Sequence, residues 1–277
     1  MSLDAEVAQV FDEPSLWRIE AAKALCLAND DMIAVMSPGP AFPAVLHSLE
    51  AALAPRPNVI IDLGAGTGGL SEWMRVSTGA TVYAVEPQTG ARQAAQLAFP
   101  RLHVIQGCAD SASLPGGSAD AVVMSGVTSL LPDIGPAIGE VDRLLTRSGR
   151  FAVADLFSSS TKTWCSAPNI FRSVEDLMCT LHLHGFTAVS LGCGDPVPDS
   201  SWAAAAKAVD DWIDSHCADR RGYKEWNADR RHLRHHIQSG NLIGGCLVAE
   251  RTSFDHDCEL CVSCREPVSR KSAISAA

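Results

Sequence analysis

The run from Asn58 to Met74, NVIIDLGAGTGGLSEWM, limits the possible folds of this chain more than any other stretch. Val59, Ile60 and Ile61 form a short apolar, β-branched run, which reads as a buried strand. Glycines follow at 64, 66 and 68, and a helical pattern begins near Leu70. A strand, a glycine turn and a helix start make a ligand cradle. Glycine lets backbone come close to a bound molecule, and a helix N-terminus offers unpaired N–H groups. Gly64, Gly66 and Gly69 also satisfy the dinucleotide pattern G-x-G-x-x-G, which leaves a nicotinamide-dependent oxidoreductase as an alternative. Asp62 weighs against it. A carboxylate at the mouth of the turn repels a pyrophosphate and attracts an ammonium group.

From Ile60 to Gly68 the stretch resembles, without gaps, motif I of the class I S-adenosylmethionine-dependent methyltransferases: apolar-apolar-(Asp/Glu)-x-Gly-x-Gly-x-Gly. Further segments carry the same resemblance in order. Glu86 ends a second strand, Val82–Val85, about 20 residues past the glycines, where an acid suits a grip on ribose hydroxyls. That role is shared by dinucleotide and adenosylmethionine sites, so it supports an adenosine ligand without choosing the chemistry. After a third strand, 102–106, the stretch ADSASLP (109–115) resembles the family's Gly-Asp-Ala-x-x-Leu-Pro segment, with Ala109 in place of glycine. The resemblance implies that Asp110 accepts a hydrogen bond from the adenine amino group and that the Ser111 N–H faces the ring. A fourth strand covers 118–125, and Ser125, Gly126, Val127 and Thr128 at its C-terminal end border the ligand crevice and are expected near the transferred methyl group. Val127, Thr128 and Ser129 stand where the family often has an aromatic residue or histidine. The helix from Ile134 to Thr146, with Glu140 and Arg143 on one face, resembles the segment before the fifth strand, 150–155. The phrase HGFTAV (184–189) resembles the step into the sixth strand, 186–191.

The expected architecture is α/β, a Rossmann-like sheet of seven mostly parallel strands with helices on both faces and the last strand antiparallel. Residues 1–53 read as a helical cap, with one helix beginning at Asp12-Glu13-Pro14, a break at residues 37–40, and a second helix over 42–53. Phe11, Trp17 and Met36 are candidates to line a lid or to pack on the sheet. The domain proper is expected over 54–251, with residues 158–166 as a loop and a helical insertion over about 201–239. Residues 252–277 form a tail.

The resemblance implies S-adenosyl-L-methionine as cofactor, held by Asp62, Gly64, Ala65, Gly66, Gly68, Glu86, Pro87, Asp110, Ser111, Ser125 and Gly126. The implied reaction moves a methyl group to an O, N, C or S atom of an acceptor. A non-catalytic partner protein of the same fold is a further alternative. No general base is singled out; the candidates are His182, His184, His232, His235 and His236. His232 and His236 lie four apart on a helix, but the neighbouring arginines read better as a solvated basic face than as a metal site. Trp202, Trp212 and Trp226 are candidates for acceptor pocket or core.

Net charge of −10 argues against a dedicated nucleic-acid binder and favours a small-molecule acceptor. No window is long and apolar enough to span a membrane, and an acidic N-terminus without a signal-peptide core points to the cytoplasm. Seven of the ten cysteines are scattered singly. The last three, Cys258, Cys261 and Cys264, have a spacing that suits zinc or an iron–sulfur cluster, or else form a thiol-bearing extension. A thiol or metalloid methyltransferase is a minor variant of the reading.

Overall fold

The computed structural model describes residues 3–39, 43–53, 56–166, 168–194 and 200–252. Elements run α1 (Leu3–Ala24), α2 (Asn29–Val35), α3 (Pro43–Ala52), β1 (Val59–Leu63), α4 (Gly69–Thr78), β2 (Thr81–Glu86), α5 (Thr89–Ala98), β3 (His103–Gln106) and β4 (Ala119–Ser125). A 3-10 turn, Thr128–Leu130, precedes α6 (Gly135–Leu144) and β5 (Leu145–Ser158). Then come β6 (Trp164–Ser166), β7 (Asn169–Phe171), α7 (Val174–Leu183), β8 (Phe186–Gly194), α8 (Ser200–His216), α9 (Tyr223–Gln238) and β9 (Leu242–Arg251).

The main sheet has seven strands in the order β3-β2-β1-β4-β5-β9-β8. β1 to β5 pair in parallel, and β9 inserts antiparallel between β5 and β8. This is the expected Rossmann-like architecture. Residues alternate between the two faces of each strand. Ile60, Ala121, Val123, Ala152, Ala154, Cys246 and Val248 enter the core shared with α1 to α4, α8 and α9. Ile61, Leu63, Val122, Met124, Phe151, Val153 and Leu247 enter the opposite core, with α6 and α7. Truncating a fully buried ring such as Phe151 to alanine would cost about 3–5 kcal/mol.

Two expectations are corrected. The first helix does not start at Asp12: α1 begins at Leu3 and carries Pro14 inside it. Pro14 removes one helix hydrogen bond, but it is buried, and tertiary packing against α5 and α8 outweighs the local break. The stretch 158–166 is not a plain loop either. β5 extends to Ser158, and Trp164–Ser166 pairs antiparallel with Asn169–Phe171 as a small hairpin.

The cap helices and the insertion pack together. Arg18 on α1 donates to the Val35 carbonyl at 3.0 Å and lies 3.8 Å from Asp210 on α8. Asp210 also pairs with Arg230 at 3.0 Å and Arg234 at 3.1 Å on α9. Trp17 meets Trp226 edge-on at 5.9 Å, and the Arg230 guanidinium lies 4.4 Å from the Trp226 ring centroid. Trp17 and Met36 are therefore buried core residues, as is Trp226. The Phe11 side chain is outside the described residues.

Candidate cofactor site

β1, β2, β3 and β4 are adjacent and parallel, so their C-terminal ends open on one edge of the sheet, where ligands of such folds sit. Asp62, the glycine turn, Glu86, Pro87, Ser125 and Gly126 meet there, with the Asp110–Ser111 loop beyond β3.

Period-two alternation turns Asp62 to the same face as Ile60, toward α4. It is 1% exposed, so the carboxylate does not face the open mouth as expected. Its Oδ2 accepts from the Ser71 hydroxyl at 2.5 Å, and its Oδ1 is buried with no partner among the described residues. Burial, offset in part by the Ser71 bond and reinforced by Glu86, pushes the Asp62 pKa up to about 7.

The amides of Gly64, Ala65, Gly66, Gly68 and Gly69 are committed, so the glycines of the turn do not offer free N–H groups. Gly64 and Ala65 both donate to the Val85 carbonyl, at 2.8 and 3.0 Å, and Gly68 donates to Ala65. Gly66 N donates to Glu86 Oε2 at 2.8 Å. Gly69 N donates to the Met36 carbonyl at 3.1 Å, which also accepts from the Thr67 hydroxyl at 2.6 Å. A carboxylate and a carbonyl thus hold the N–H groups that a pyrophosphate would need. Above Gly66, at φ +55, a Cβ would meet nothing within 4 Å, so the space over the turn is open to a ligand. Under Gly64 the fit is closed, because a Cβ there would run into Val127 Cγ2.

Glu86 is buried, and its other oxygen accepts from Gln88 N at 2.8 Å. Burial raises its pKa against those two backbone bonds. Each oxygen keeps a lone pair for a further donor. Pro87 is exposed at the rim. Asp110 is exposed and makes no hydrogen bond among the described residues. The Ser111 N–H is not free for a ring as expected; it donates to the Cys108 carbonyl at 3.1 Å. Gly126 N is likewise used, by the Ala154 carbonyl at 2.8 Å.

Asp155, at the same edge, is 2% exposed and fully engaged. It accepts from the Thr128 hydroxyl at 2.6 Å, Ser129 N at 3.2 Å and Leu156 N at 2.8 Å, and burial raises its pKa. Its work is to hold the 3-10 turn, together with Arg172, which donates to the Thr128, Leu131 and Pro132 carbonyls.

The histidines divide. β8 starts at the end of the sheet away from the glycine turn, since Phe186 pairs with the last residue of β9. His184 just before it bonds the Thr180 carbonyl at 2.8 Å, and His182 lies near the end of α7. Neither joins the crevice residues. α9 leads into β9 at the crevice edge, where His232 stacks on Trp164 at 5.6 Å and His236 lies tilted against it at 4.1 Å between centroids, with His235 beside His236. Trp164 in turn stacks on Phe171. Sequence reading missed Trp164, whose only signal was a lone aromatic in a polar stretch. Trp212 stacks on His216, apart from this group, and Trp202 is half-buried. No group of three metal-ligating side chains occurs among the described residues. Cys258, Cys261 and Cys264 lie outside them.

The family model described as a methyltransferase domain matches residues 61–153, from β1 into β5. That stretch is similar to a methyltransferase domain. No curated protein matches this chain in sequence. Solved methyltransferases share its fold. One from Geobacter sulfurreducens, in complex with S-adenosylhomocysteine, is 17% identical with a TM-score of 0.58, over 82% of this chain and all of its own. One from Thiobacillus denitrificans, in the same complex, is 18% identical with a TM-score of 0.57, over 77% of this chain and 93% of its own. The Haemonchus contortus phosphoethanolamine N-methyltransferase 2, with S-adenosyl-L-methionine, is 14% identical with a TM-score of 0.57 over 75% of this chain. This chain spans about half of that enzyme, 52%. The family match covers the glycine turn, and the solved structures share the fold beyond it.

Proposed function

We propose that this chain binds S-adenosyl-L-methionine and transfers its methyl group to a small-molecule acceptor. The observation that carries the reading is Asp62 Oδ1, a buried carboxylate oxygen without a partner beside a glycine turn whose amides are already used. Such an oxygen calls for a cation, and the donor's amino-acid ammonium group supplies one. When bound, the donor brings an activated sulfonium methyl group. Asp62 would hold the ammonium, Glu86 the ribose hydroxyls through its remaining lone pairs, and Asp110 the adenine amino group. Gly66 leaves the room, and Ser125 and Gly126 border the reacting end. Pro87, Ala65 and the remaining turn glycines shape the walls.

Catalysis of this kind rests on alignment and exclusion of water. The 3-10 turn, the β6–β7 hairpin and α9 rise beside the end of β5 and would form the acceptor wall. Where the acceptor must lose a proton, His236 or His232 is the base that the geometry favours over His182 and His184. Burial and the neighbouring imidazoles hold the His236 pKa below its ordinary value. Net charge of −10 and the small phosphoamine named for the Haemonchus enzyme support a small acceptor.

Calorimetry with S-adenosyl-L-methionine, S-adenosylhomocysteine and NAD tests the donor. Both adenosyl compounds should bind and NAD should not; a preference for NAD would sink the reading. Labelled methyl donor incubated with fractionated metabolites tests the transfer and names the acceptor.

A further inference from the structure

The end of the sheet opposite the glycine turn holds a second cavity, of about 490 Å³, between the start of β1, β4 and β5 and the end of β9. Arg56, Arg147, Arg150 and Arg251 line it, with Asp120 and Glu250. On a chain of net charge −10, four guanidinium groups in one hollow are unexpected.

Both carboxylates are committed. Asp120 Oδ2 accepts from Asn58 N at 2.8 Å and Val59 N at 3.1 Å, at the start of β1. Glu250 Oε1 accepts from Arg150 Nε at 2.7 Å. Arg251 is tied to Asp142 at 2.6 Å and to the Thr146 carbonyl at 2.6 Å. Arg56 and Arg147 are exposed and make no hydrogen bond or ion pair among the described residues. The hollow therefore keeps two cations without a counter-ion among the described residues, against one carboxylate, Asp120, held by backbone amides alone.

We propose that this cavity binds a small phosphorylated molecule, with Arg56 and Arg147 gripping its phosphoryl oxygens. The planar guanidinium fork matches phosphoryl oxygens in pairs, and the volume lies in the range of small-ligand sites. The site is a pole away from the donor crevice and does not depend on the methyltransferase reading.

Inorganic pyrophosphate is the probe, titrated into the full chain at low ionic strength. Saturable one-site binding is expected. It should weaken at least tenfold in Arg56→Ala/Arg147→Ala, and comparably in the single charge reversal Arg147→Glu. It should be unchanged in Lys207→Ala, a surface cation on α8 paired with Asp211, and in Asp62→Asn. Circular dichroism checks that each variant is folded; Arg56 and Arg147 are exposed, so folding should hold. Absence of saturable binding overturns the proposal. So does a loss in the double variant no greater than in Lys207→Ala, or a gain in Asp62→Asn, which would put pyrophosphate in the donor crevice, where the Asp62 carboxylate opposes it.

Discussion

Asp62 spends one carboxylate oxygen on Ser71 and leaves the other buried and unpaired, and this imbalance has two consequences of opposite sign. With its pKa pushed up to about 7, the free protein holds the protonated acid below neutral pH. That group's contribution to folding stability is full below its unfolded value, about 3.9, and is lost as pH rises through about 7. Binding an ammonium group needs the carboxylate, so donor affinity should climb over the same interval, by up to tenfold per pH unit between about pH 5 and 7. Calorimetry of donor binding against pH, beside thermal melts of the free protein, reads both slopes. Asp62→Asn should flatten both, weaken donor binding by roughly 10- to 100-fold, the loss of one charge-assisted bond, and leave the melting temperature at pH 8 unchanged or higher. An unchanged donor affinity would remove the basis of the proposed function. Asp62 and Glu86 were legible because each follows an apolar run at a fixed distance from the glycines. The state of Asp62 was not, because it depends on which face α4 covers.

Among the elements, α2 and the glycine turn are joined through backbone. A Cβ on Gly69 would meet Ser37 Oγ and come within 2.5 Å of the Met36 carbonyl. Gly69→Ala should push α2 off the turn, lowering both the melting temperature and donor affinity. Gly66→Ala meets no neighbour, so its cost to folding should be only the strain of a positive φ, about 1 kcal/mol. It would still fill the cradle and weaken donor binding; thermal melts with parallel binding curves separate the two variants. The strands β1, β2 and β4 were readable as β-branched apolar runs bounded by glycine, proline or acid. The β6–β7 hairpin was not, since three-residue strands with polar members carry no period. The start of α1 was hidden by Pro14, whose local penalty is outweighed by its burial. The Met36 carbonyl, like any backbone acceptor, has no signature in side chains at all.

At the scale of the whole molecule, α1 and α2 are bound to α8 and α9 through Asp210, which serves Arg18, Arg230 and Arg234 at once. Burial draws the Arg18 guanidinium below its ordinary pKa while Asp210 pulls it back up. Asp210→Ala would leave Arg18 enclosed without its counter-charge, and a loss of about 3–5 kcal/mol is expected, measured by denaturant unfolding. Arg18→Met, which removes the enclosed charge as well, should cost less. Helices distant in the chain are thereby made into one cover. That cover reaches the turn through Met36, whose carbonyl receives both an amide and a hydroxyl. An engineer who trimmed the chain to begin at residue 56, reasoning that the recognised domain starts at 61, would orphan the Gly69 amide and the Thr67 hydroxyl. The shortened protein would keep every side chain assigned to the donor and still lose its grip.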